Sequence, residues 1–105
     1  MLAQTQIEKL RRRLKKDYDK KLPLIFSALG DHCRFFIFQF LIMQKEACVT
    51  DVSKICNITM SAASQQLKIL EMSGIVVKER MGQMVCYKLH EEDIFIKSLV
   101  RLLTS

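Results

Sequence analysis

The stretch TMSAASQQLKILEMSGIV, residues 59–76, carries a set of side chains that an ordinary surface helix does not need. At roughly 100° per residue, Ser61, Gln65 and Lys68 lie opposite Ala63 and Leu67, flanked by Ser64 and Gln66. Ala62 beside them is small enough to let a partner approach closely. Hydroxyl and amide groups both donate and accept hydrogen bonds, and a glutamine amide can bond an adenine edge in bidentate fashion. Long acidic side chains would repel phosphate, and none stands among these five positions. Its chemistry suits base reading in the DNA major groove. A second cluster follows, with Lys78, Arg80 and Gln83 arranged around Gly82. Cations on a flexible tip can lie along the sugar-phosphate backbone, supplying affinity while the helix supplies sequence preference.

The other reactive side chains are four cysteines, Cys33, Cys48, Cys56 and Cys86, separated by 15, 8 and 30 residues. These separations match neither paired zinc-knuckle spacing nor a C-x-x-C redox site, and the thiols are expected to be reduced. Each also reads as a small buried hydrophobe. Oxidation of two thiols needs no metal geometry, so a pair such as Cys33 and Cys48 is a candidate thiol sensor, with Cys56 a further member. Cys86, on a strand face with Met84, is the weaker candidate. His90, Glu91, Glu92 and Asp93 open the last helix, but its far end, VRLLTS, has neither histidine nor acid. Acids there serve the helix dipole more simply than a metal. No bound metal and no cofactor are expected. Two isolated histidines, no convergent carboxylates and no glycine-rich phosphate loop also leave little for catalysis, so an enzyme is not expected.

These residues need elements to hold them. The 105-residue chain reads as one domain, 1–105, with a thin core and reason to dimerise. Its formal charge of +6 is concentrated at the start, where residues 1–21 hold eight Lys or Arg against three acids. Residues 1–22 form a basic helix with a narrow stripe of Ile7, Leu10, Leu14 and Tyr18, broken by Pro23. A short helix runs from about Pro23 to Gly30, and Asp31 caps a third, RFFIFQFLIM, apolar nearly all round and expected to be buried. After the polar break QKEA, Thr50 or Asp51 begins a short helix with Val52 and Ile55 inward and Asn57 at its left-handed end. Thr59 caps the helix quoted above, and residues 50–73 form a helix-turn-helix. Residues 75–89 are a glycine-turned hairpin. Residues 91–104 form a last helix with two apolar stripes, Phe95, Leu99, Leu102 and Ile96, Val100, Leu103. One stripe packs on the body, and the other needs a second copy, joined there by Leu10 and Leu14 of the first helix. The class is mainly α (α+β), a winged helix-turn-helix in α-α-α-α-α-β-β-α order. No apolar run reaches membrane-spanning length, no membrane association is expected, and the N-terminus does not read as a secretory signal, which makes a cytoplasmic protein the expectation.

Three motifs in order resemble the arsenic-repressor (ArsR/SmtB) family of winged-helix regulators. Over roughly residues 24–89, IFSALGDHCRFFIFQFL is similar to the family's LF-ALGD-x-x-R opening, SAASQQLKILEMSGIV to its recognition helix, and ERMGQMVCYKL to its wing. His32 stands where the family usually has proline, and Gln66 where histidine is common. The resemblance implies a homodimeric repressor on a near-palindromic double-stranded DNA operator, released by an inducer. It carries DNA contact onto Ser61, Ser64, Gln65, Gln66, Arg80 and Gln83. Family members often sense metal or metalloid through C-V-C. Here CVT keeps only Cys48, which favours a thiol or other signal over a metalloid. The alternatives are a metalloid-sensing repressor using Cys48 and a protein-interaction winged helix contacting a partner through Met72.

Overall fold

The computed structural model describes residues 1–104 as six helices and three short strands. The helices are α1 (Gln4–Lys16), α2 (Lys21–Leu29), α3 (His32–Gln44), α4 (Val49–Cys56), α5 (Met60–Met72) and α6 (Ile94–Thr104). The strands are β1 (Glu46–Cys48), β2 (Val76–Met81) and β3 (Met84–Leu89), which form one antiparallel sheet in the order β1-β3-β2. This is the winged helix-turn-helix order expected from the sequence, with one element added. The break QKEA is not merely polar connection, because Glu46–Cys48 pairs with the inner wing strand, placing Cys48 opposite Cys86. Three residues are too few to show an alternating pattern, so the strand is visible only through its partner.

Local signals fix most helix ends. Asp31 accepts the Arg34 backbone N–H at 3.1 Å and starts α3. Asn57, at φ 55, ends α4 in the left-handed region that a short polar side chain tolerates. Thr59 Oγ1 accepts from the Ala62 N–H at 3.0 Å and opens α5. Pro23 lies in the first turn of α2, where its missing N–H costs nothing. The last helix begins later than expected. Asp93 accepts the N–H groups of Phe95 and Ile96 at 2.9 and 3.1 Å, so Glu91 and Glu92 precede α6 instead of forming its first turn. A carboxylate that caps is worth more than one that merely faces the dipole, which sets the start at Asp93.

The core collects Ile37, Phe38 and Leu41 of α3, Val52 of α4, Ala63, Leu67 and Leu70 of α5, and Ile96 of α6 around the sheet residues Tyr87 and Leu89. Two expectations about burial are corrected. The third helix is not covered all round, since Phe36 is 48% and Met43 83% exposed, and Ile55 on α4 is turned outward at 49%. One side of α3 meets the rest of the chain. Its other side lines an apolar groove of about 520 Å³ with Ile55 and Leu103. The first helix buries no residue, and Leu10 and Leu14 are 44% and 71% exposed. It extends the molecule to 59 × 26 × 24 Å. Among the described residues, no single helix is long and apolar enough to cross a membrane.

Candidate nucleic-acid interface

The turn between α4 and α5 is held from both directions. Ile58 N–H donates to the Ser53 carbonyl at 3.0 Å, and Ser53 Oγ donates back to the Ile58 carbonyl at 2.6 Å. With Val52 completely buried on α4 and Ala63, Leu67 and Leu70 completely buried on α5, the two helices form one rigid corner. The same periodicity that sinks those three residues leaves Ser61, Ser64, Gln65 and Lys68 exposed on the far side of α5. Ala62 sits half-buried between them.

Gln66 is placed differently. It is half-buried, and its Oε1 accepts a hydrogen bond from Arg34 Nη1 at 3.0 Å. Arg34 Nε also donates to the Ala28 carbonyl at 2.8 Å, and the guanidinium lies 4.0 Å from the Asp31 carboxylate. One arginine therefore ties the end of α2 and the cap of α3 to the middle of α5. Arg34 was visible in the sequence within ALGDHCR but carried no assigned role, because its partner lies 32 residues away.

The wing continues from the C-terminal end of α5. Ile75 N–H donates to the Leu70 carbonyl at 2.9 Å, and Gly74, at φ 77, turns the chain into β2. Strands β2 and β3 pair from Val76↔Leu89 to Met81↔Met84, leaving Gly82 and Gln83 as a two-residue tip. Gly82 has φ 67 while Gln83 is not in the positive region, the sign pattern of a type II′ hairpin turn. Lys78, Arg80 and Gln83 are exposed. Lys88 is spent internally: its Nζ lies 2.6 Å from Glu79 Oε1, and that hydrogen bond and charge hold its ammonium above the ordinary lysine range. Among the described residues no carboxylate comes within ion-pair distance of Lys68, Lys78 or Arg80, so those cations face solvent.

The thiols pair otherwise than the sequence suggested. Cys33 does not meet Cys48. Cys48 Sγ lies 2.8 Å from Cys86 Sγ, and the thiol neighbouring Cys33 is Cys56. The Cys86 thiol is pushed up to about 11, first by its hydrogen bond with Cys48 and then by burial. The Cys56 thiol is raised by burial, then by the neighbouring Cys33. Cys86, rated last from the sequence, is one half of the tightest thiol contact, and the register of β1 on β3 is what brings it there. His90 Nδ1 approaches the Gly74 carbonyl at 3.3 Å, at the junction of α5 and the wing. Among the described residues no three His, Cys, Asp or Glu side chains converge as a metal site.

A tight helical corner, a second helix with an exposed hydrogen-bonding face and a cationic hairpin beside it define a winged helix-turn-helix DNA-binding transcriptional regulator. Residues 40–78 match the model of the bacterial regulatory protein, arsR family. The chain is 35% identical over 86 residues to a cadmium resistance transcriptional regulatory protein CadC homolog of Staphylococcus aureus, covering 78% of this chain and 71% of that protein. It is 31% identical to the arsenical resistance operon repressor of Bacillus subtilis, covering 84% and 80% of the two chains. The protein belongs to the arsR family of regulators. Its fold is similar to that of the homodimeric winged helix-turn-helix DNA-binding domain Mb0332 of Mycobacterium bovis, with TM-score 0.70, 19% identity and coverage of 98% and 84%.

Proposed function

We propose that this chain acts in the cytoplasm as a homodimeric repressor on a near-palindromic operator, without catalysis or a bound cofactor. In this reading α5 enters the major groove, where Ser61, Ser64, Gln65 and Lys68 meet base edges and phosphate. Lys78, Arg80 and Gln83 hold the adjacent backbone, and Gln66 positions the helix through Arg34. The observation that carries the reading is the split of α5 into a face sealed by Ala63, Leu67 and Leu70 and an exposed face of small or amide side chains beside uncompensated wing cations.

Dimerisation supplies the second half-site. The apolar stripe of α1, with Leu10 and Leu14 exposed, has no cover from its own body, and Leu103 on α6 is likewise 44% exposed. Phe95 and Leu99 are half-buried between that surface and the core, with Phe95 edge-on to Phe26 at 5.6 Å. Leu102 completes the outer stripe of α6. A two-fold interface built from α1 and α6 covers these surfaces and places two copies of α5 for successive major grooves.

The test is selection of bound sequences from random duplex DNA with the reduced protein. Enrichment of an inverted repeat is the expected result. An absence of enrichment, with a protein partner copurifying instead, would overturn the reading.

A further inference from the structure

The residue that ends β1 also begins α4. Cys48 pairs with Cys86 across the sheet and is at the same time the N-cap of α4. Its backbone N–H donates to Asp51 Oδ2 at 2.9 Å, the bond that anchors the first turn of α4. Its sulfur stands 2.8 Å from Cys86 Sγ. One residue therefore joins the start of the helix-turn-helix, through its backbone N–H, to the inner strand of the wing, through its sulfur.

Directly opposed residues of an antiparallel pair have Cα atoms about 4.5–5.5 Å apart, inside the roughly 4.4–6.8 Å span that a disulfide accepts. Closing the sulfurs from 2.8 Å to a bond of about 2.05 Å needs only side-chain rotation and a small strand adjustment. The two thiols are unequally accessible. Cys48 is half-buried, whereas Cys86 is 4% exposed on the sheet face away from Tyr87 and Leu89. A small oxidant reaches Cys48 first, and Cys86 is already in place to resolve the product.

We propose that Cys48 and Cys86 are a peroxide-oxidisable dithiol whose disulfide displaces the start of α4 and weakens DNA binding. This rests on reading the chain as a DNA-binding regulator. In the first step the Cys48 thiolate sulfur attacks a peroxide oxygen. The S–O bond forms, the O–O bond breaks, and the departing hydroxide takes a proton to become water. In the second step Cys86 sulfur attacks the Cys48 sulfenic sulfur. The S–S bond forms, the S–O bond breaks, and the hydroxide leaves as a second water with the Cys86 proton. The sulfurs lose two electrons together, and one hydrogen peroxide is reduced to two waters.

The consequence follows from the position of Cys48 at both the strand end and the helix start. Drawn toward Cys86, Cys48 moves the backbone N–H that Asp51 Oδ2 holds, and the short helix α4 loses part of its N-terminal anchor. Val52 and the Ser53–Ile58 lock sit on that helix, so its displacement moves the corner on which α5 is built. The bond also ties the root of the wing to the same point. The Cys33–Cys56 contact lies at the other end of α4 and serves as an internal control.

The experiment treats the full chain with hydrogen peroxide, alkylates remaining thiols, digests without reduction and maps linked peptides by mass spectrometry. In parallel, affinity for the duplex selected by the reduced protein is measured before and after oxidation and again after dithiothreitol. The expected results are a Cys48–Cys86 link and a reversible loss of affinity on the order of tenfold, within the usual span of coupling between two sites. Cys48→Ser, which leaves the backbone N–H to Asp51 in place, should bind the duplex and ignore peroxide. The double variant C33S/C56S should remain sensitive. A link elsewhere, no link, a Cys48→Ser protein still released by peroxide, or a mapped link with unchanged affinity would each overturn the proposal. If the reduced protein selects no duplex, the DNA reading fails and the switch with it, while the peptide map still reports the dithiol chemistry on its own.

Discussion

Arg34 Nη1 donates to Gln66 Oε1 at 3.0 Å, joining the first turn of α3 to the middle of α5. The bond matters because the rest of the α5 inner face is apolar and non-directional. Ala63, Leu67 and Leu70 hold α5 through shape alone, whereas a guanidinium fixed at both Ala28 and Gln66 adds directional hydrogen bonds to that packing. The outward direction of Gln65 is defined by the inward direction of Gln66.

Arg34→Ala removes a half-buried donor from two acceptors, the Ala28 carbonyl and the Gln66 amide. The expected loss of stability is about 1–3 kcal/mol, the usual cost of leaving such groups unsatisfied, read from urea unfolding. Specific DNA affinity should fall further than nonspecific affinity. A variant that retained wild-type stability would show that the bracket is idle.

Gln65→Ala should weaken binding to the selected duplex by about 1–3 kcal/mol and leave nonspecific affinity nearly unchanged. Gln65 is exposed and makes no contribution to the core, so its removal should not affect folding. Fluorescence anisotropy on specific and scrambled duplexes separates the cases. Equal losses on both would assign Gln65 to the backbone instead of a base.

Arg80→Ala should behave in the opposite way. Arg80 is an exposed wing cation without a carboxylate partner, and in the proposed reading it meets phosphate, which carries no sequence. Affinity should drop by a similar amount on every duplex, and the slope of log affinity against log salt should shrink by about one. An unchanged slope would remove Arg80 from the backbone contact.

Leu14→Glu places a charge on the stripe of α1 at a residue that is 71% exposed, on a helix that buries no side chain. The monomer should remain folded while light scattering shows dissociation, and operator affinity should collapse because one half-site is lost. Leu99→Glu is the companion on α6. An unchanged dimer in both would place the interface elsewhere.

The parts of this protein that were legible from residue types are those decided within a few positions along the chain. The caps at Asp31 and Thr59, the left-handed Asn57 and the Gly82 turn each rest on contacts spanning no more than four residues. The alternation of buried and exposed positions on α5 likewise follows from helical geometry alone. Together they determine the element order and the polar face that marks a DNA-binding regulator. Tertiary structure alone decided which distant groups meet. It paired Cys48 with Cys86, 38 residues away, instead of with Cys33, because a three-residue strand with no readable pattern docks on the wing. It turned Gln66 toward Arg34 and left Phe36 and Ile55 facing a groove, since an apolar residue's own type does not say which neighbour will cover it. Local conformation is set by short-range sterics and hydrogen bonds, whereas a contact between remote residues exists only once the chain has returned on itself, and its free energy depends on everything packed around it.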